Sequence, residues 1–72
     1  MPKLPPISRK QFIQRLHELG FDGPYAGGKH PQMKRGSLTV IIPNEHIGDI
    51  GPGFLHRLLK QAGIAHDEWL GQ

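Results

Sequence analysis

Two stretches of this chain repeat apolar residues at helical spacing, and the one clear run of two-residue alternation lies between them. Phe12, Ile13, Leu16 and Leu19 form the first stripe; Phe54, Leu55, Leu58, Leu59 and Ala62 form the second. Steps of three and four residues put such side chains on one face of an α-helix. Leu38, Val40 and Ile42 instead alternate with Ser37, Thr39 and Ile41, the period of a strand with one face on a core. A sheet face and helix stripes of this kind are stable only when packed on one another.

The boundaries of the helices are written in the same residues. Ser8 fits an N-cap with Gln11 three residues on, a capping box, and Ile7 is placed to pack on Phe12 as a hydrophobic staple. Gly20 is expected to end the first helix, with Phe21 folding back on Leu16. Gly51 caps the second helix ahead of Pro52 at its first position, and Gly63 closes it before Ile64. Asp67 to Leu70 add a helical turn that returns Trp69 and Leu70 to the core, although Ala65 and His66 are poor caps.

Between the helices, strands are expected at Phe21 to Tyr25, Pro31 to Lys34 and Ser37 to Ile42, with Pro43 ending the third. A hairpin turn at Arg35-Gly36 would pair Met33 with Leu38 on the core face. His30, Gln32 and Lys34 would then share the open face with Thr39 and Ile41, if pairing reaches His30 past Pro31, which has no backbone donor. Residues 43 to 51 read as a loop. The expected fold class is α+β: an α-β-β-β-α order in one domain over residues 1–72, a three-stranded antiparallel sheet with two helices on one face.

Composition narrows the function. Seventy-two residues build a small core, so a second copy or a bound partner would add useful stability. The chain has no cysteine, which excludes disulfides and thiolate zinc sites. No stretch reads as a signal peptide or a membrane span, and a cytoplasmic protein is expected. A formal net charge of +3 and a pI of about 9.7 make nucleic acid a candidate partner; ordinary surface charge for solubility is the plainer reading.

The densest chemistry sits at Gly27-Gly28-Lys29-His30. Glycines let a backbone approach a phosphate closely, and their free amides suit an anion. Lys29 adds charge, and His30 adds a group that takes or gives a proton near neutral pH. The same four residues would also serve as a flexible loop. Lys34 and Arg35 flank the hairpin turn, as RNA-backbone contacts or as an ordinary charged turn. Arg9, Lys10, Arg15, Arg57 and Lys60 would make either a basic RNA face or solvated helix surface. Tyr25 would stack a base or seal the sheet edge. His46 is a second candidate for proton transfer if its loop folds toward His30, while His17, His56 and His66 read as helix-surface or terminal residues. His30 and His46 lack a third ligand at suitable spacing, so no metal and no cofactor is expected.

In order and spacing, these words resemble the HicA toxin family over nearly the whole chain. The resemblance runs through Leu4-Pro-Pro-Ile-Ser8, Leu19-Gly20-Phe21, Gly27-Gly28-Lys29-His30 and Ile42-Pro43, then Ile50-Gly51 and Leu58-Leu59-Lys60-Gln61-Ala62-Gly63-Ile64. It implies a fold like a double-stranded RNA-binding domain and a metal-independent ribonuclease that cleaves messenger RNA. It also implies a HicB-like antitoxin as protein partner, with DNA reached only through that antitoxin. The family's catalytic histidine follows a glycine-containing turn at the start of the second strand, a position held here by His30. Many members read Gly-Ser-His-His at this place; this chain reads Gly-Lys-His-Pro, with Pro31 where the second histidine would stand. A non-catalytic RNA-binding module of the same fold is the rival expectation, and a purely structural partner in a protein complex is the third.

Overall fold

Ser8 starts the first helix as its side chain implies. Its Oγ accepts from the Gln11 amide at 3.2 Å, satisfying one of the donors that a helix N-terminus leaves open. The computed structural model describes residues 4–26, 28–43 and 48–71. In chain order it has α1 (Arg9–Glu18), β1 (Asp22–Tyr25), β2 (Gln32–Arg35), β3 (Leu38–Ile41), α2 (Pro52–Ala62) and α3 (His66–Leu70). The three strands form one antiparallel sheet in the order β1-β2-β3. The expected α+β order is the observed one, and α3 is the expected C-terminal turn.

Both long helices end in the same way. Phe21 N–H donates to the Leu16 carbonyl at 2.9 Å and Gly20 N–H to that of His17 at 3.0 Å. At the end of α2, Ile64 bonds Leu59 at 2.9 Å and Gly63 bonds Lys60 at 3.2 Å. This pair of bonds is the Schellman closure, and it brings an apolar residue, Phe21 or Ile64, back onto the core. Both are buried. Gly63 has φ 70°, and a Cβ there would sit 3.2 Å from both Cδ atoms of Leu38.

The hairpin differs from expectation by one residue. Arg35 pairs with Leu38 and Met33 with Val40, so the turn is Gly36-Ser37 rather than Arg35-Gly36. Gly36 has φ 60°, at the first turn position, where the type II′ hairpin turn takes glycine. Moving the turn by one residue shifts the register by two, and a shift of two leaves every side chain on its own face. Gln32 now lies opposite Ile41, and Lys34 opposite Thr39, all four still on the open side of the sheet. Pairing also reaches Pro31: the Ile42 amide donates to the Pro31 carbonyl at 2.9 Å. Proline lacks a donor but keeps its acceptor, and that suffices to extend the ladder toward His30.

Met33, Val40, Phe12, Leu16, Leu55 and Leu59 are buried in one cluster with Phe21, Ile42, Ile50 and Trp69. Phe54 is a correction, since it is 42% exposed. Leu55, Leu58, Leu59 and Ala62 set the axis of the buried stripe, and Phe54 falls at its border. The chain before α1 is pinned by reciprocal bonds between Ile7 and Ile50, at 3.1 and 2.7 Å.

Arginines hold α3 in place. A five-residue helix does not persist on its own. Arg15 donates from Nε at 2.9 Å, and from Nη2, to the Trp69 carbonyl. Arg35 donates from Nη1 to the Leu19 carbonyl at 2.9 Å and to Glu68 at 3.2 Å. Its guanidinium carbon lies 4.9 Å from the centre of the Phe21 ring. Beneath them Trp69 packs on Phe12, ring centres 5.5 Å apart and tilted by 50°.

Two stability predictions follow from these contacts. Gly63→Ala forces an L residue into the left-handed region against Leu38 and should cost about 1–2 kcal/mol, read as a lower urea midpoint with an unchanged slope. Arg35→Ala should lose about 1 kcal/mol and lower the melting temperature by roughly 4–8 °C, whereas Lys34→Ala should leave it nearly unchanged. A melting temperature for Arg35→Ala equal to that of the native chain would show that the clamp carries no stability.

Candidate active site

His30 is half-buried on a bend, with Pro31 between it and β2. Gly28 and Lys29 form the turn that leads into it, and both are exposed. Gly28 has φ 73° and open space where a Cβ would be, so the backbone angle, not crowding, calls for glycine there. Gly27 and His46 lie outside the described residues, so the reading of His46 as a second proton-transfer group stays an expectation.

The ladder bond between Ile42 and Pro31 carries the β2–β3 register up to His30 and brings it beside Pro43. Pro43 is itself held, because Arg9 Nε donates to its carbonyl at 2.9 Å. His30, Ile41 and Pro43 form one side of an open groove of about 460 Å³. The other side is α2, which contributes Phe54, Arg57, Leu58 and Gln61. His30 therefore stands where the end of an edge strand meets a helix, and not out over the middle of the open sheet face.

The basic residues divide into two groups. Arg9, Arg15 and Arg35 bond main-chain carbonyls within the molecule. Arg35, expected as an RNA-backbone contact, has its guanidinium committed to Leu19, Glu68 and Phe21 at the turn end of the hairpin. Three residue steps along β2, about 10 Å of strand, separate it from Gln32, next to the His30 end. Lys34 is exposed on the open face, its Nζ 6.0 Å from the centre of the Tyr25 ring. Lys29 is exposed beside His30, and Arg57 enters the groove from α2. Of the five helix cations, Arg9 and Arg15 are thus bonded to main-chain carbonyls and Arg57 lines the groove, while Lys10 and Lys60 are exposed.

Arg57 and Phe54 are groove residues that the sequence reading placed elsewhere, Arg57 among general surface cations and Phe54 in the core. A signal was present. Phe54, Arg57, Leu58 and Gln61 recur at i, i+3, i+4 and i+7, a second helical face overlapping the buried stripe at Leu58. The other described histidines are engaged away from the groove: His17 Nε2 lies 2.7 Å from the Gly23 carbonyl, and His56 Nδ1 lies 2.8 Å from His66 Nε2. Among the described residues no cluster of three or more His, Asp or Glu side chains is placed to hold a metal ion. No helix among them is long and apolar enough to cross a membrane.

A family model described as the HicA toxin of bacterial toxin-antitoxin matches residues 9–64. No curated protein and no solved structure matches the chain. The matched span begins with the first residue of α1 and ends where Ile64 folds back after α2, so it contains the whole sheet, the His30 turn and both walls of the groove. The chain belongs to the HicA toxin family and is the toxin of a bacterial toxin–antitoxin system.

Proposed function

We propose that this toxin is a metal-independent endoribonuclease that cuts messenger RNA, with His30 moving the protons. The observation that carries the reading is a half-buried histidine, between an exposed glycine–lysine turn and an arginine-bearing groove, in a chain of this toxin family. RNA holds its own nucleophile. The 2′-hydroxyl oxygen attacks the adjacent phosphorus, the bond from phosphorus to the 5′-oxygen breaks, and a 2′,3′-cyclic phosphate and a 5′-hydroxyl result. One proton leaves the 2′-hydroxyl and one is delivered to the departing oxygen. A histidine suits either transfer near neutral pH. No metal-activated water is required in this step, and DNA, lacking the hydroxyl, would be spared.

In this reading Lys29 offsets the negative charge that grows on the phosphate. The Gly28 amide, on a turn without side-chain cover, adds a donor to the same anion. Lys34 on the open face would hold the strand further along, and Arg35 stabilises the fold. A HicB-like antitoxin would neutralise the toxin by covering the His30 groove, in the cytoplasm where messenger RNA is found, and DNA would be contacted through the antitoxin alone.

Purified protein in EDTA should cleave single-stranded RNA and leave 2′,3′-cyclic phosphate ends. His30→Ala should be slower by about 10²-fold or more with an unchanged circular dichroism spectrum. Products ending in a 3′-hydroxyl would overturn the mechanism. Native protein that binds RNA without cutting it would make this a binding module of the same fold.

A further inference from the structure

The proton transfers above use only one side of the groove. The α2 side is shaped for a ligand as well. Phe54 and Ile41 are two of the three large hydrophobic residues that the described chain exposes, and both line the groove with His30. Leu55, Leu58, Leu59 and Ala62 of the same helix are buried, so Phe54 is an aromatic ring left in water beside a filled core. Arg57 and Gln61 follow it at steps of three and four residues, which stacks the three side chains along one face of α2. No carboxylate is among the described residues lining the groove. Its volume, about 460 Å³, lies in the range of roughly 300–1,000 Å³ usual for small-molecule sites.

We propose that this groove is a nucleobase subsite for single-stranded RNA: an unpaired base next to the cleaved phosphate stacks on Phe54, Arg57 holds the phosphate on its far side, and Gln61 meets the base edge. The proposal rests on the ribonuclease reading and deepens it. Single strands are bound by an aromatic face together with a nearby cation, and the α2 face supplies both. Duplex RNA keeps its bases stacked inside, so the subsite selects loops and unpaired segments. A base seated on Phe54 also places the adjoining sugar and phosphate toward His30 across the groove, which makes Phe54 and Arg57 positioning residues.

The test uses an RNA oligonucleotide with 2′-O-methyl sugars, which cannot be cut, carrying 2-aminopurine as a fluorescent base. Native protein should bind it and quench the fluorescence. Phe54→Ala should bind about 10- to 100-fold more weakly and lose the quenching, while Phe54→Tyr restores both. Phe54→Leu, which keeps apolar bulk without a ring, should resemble Phe54→Ala. Arg57→Gln should reduce the slope of log affinity against log salt by about 0.7. Phe54 is exposed, so its replacement leaves the core intact, and circular dichroism verifies this for each variant. Phe54→Ala that binds and quenches like native protein overturns the subsite, and if His30→Ala still abolishes cleavage the ribonuclease reading stands without it. A Phe54→Ala protein that keeps RNA but loses its antitoxin assigns the groove to a protein partner and likewise overturns the proposal. Native protein that neither binds nor cuts RNA removes both readings.

Discussion

The cross-strand pair Met33–Val40 is fully buried in the core, and the position of the candidate site depends on it. Burial of one face leaves the hairpin no freedom to slip by a single residue, because that would carry every apolar side chain to the solvent side. With Met33 opposite Val40, Gln32 must oppose Ile41, and Pro31 meets Ile42 through its carbonyl. His30 then lies beside Pro43 at the end of the sheet, where α2 crosses. The candidate active-site loop is thereby hung from a core contact several residues away.

A domain of this size has few apolar residues to spare, and part of its positive charge is used to hold it together. Arg9 secures the end of β3, Arg15 the last turn of the chain, and Arg35 the join between α1, β2 and α3. Each donates to a main-chain carbonyl that would otherwise depend on water. The formal charge of +3 is therefore a poor guide to the surface offered to a polyanion. Arg9 reaches the groove only through the Pro43 carbonyl that it bonds, whereas Lys29 stands exposed next to His30 and Arg57 lines the groove from α2. Glu68, in turn, is bound to Arg35 at the far end of the hairpin.

The second helix serves two purposes with one sequence. Its Leu55, Leu58, Leu59 and Ala62 close the core, while Phe54, Arg57 and Gln61 face the groove at the same period. Leu58 belongs to both faces. The overlap explains why Phe54 is easily read as core: in a linear pattern, an aromatic residue beside a leucine stripe is indistinguishable from a member of it. Only the position of the neighbouring strand decides which side of the stripe is covered.

Local signals are sufficient for the helix boundaries and for the faces of the sheet, though not for the exact hairpin turn. The Ser8 cap, the glycine closures of α1 and α2, Pro52 at the start of α2 and the alternation of β3 each depend on residues within a few positions of one another, and each is legible before any folding is considered. The faces of the sheet were legible for the same reason, since a period of two survives the shift of the turn from Arg35-Gly36 to Gly36-Ser37. The order of the motifs was enough to carry the family resemblance and to single out His30. Tertiary structure decided what distant segments do to one another. It sent Arg35 inward to Leu19, Glu68 and Phe21, left Phe54 outside the core, and set Arg57 across a groove from His30. Those outcomes depend on how α2 and α3 pack against the sheet, and a periodic pattern marks a helix face without saying which distant element covers it.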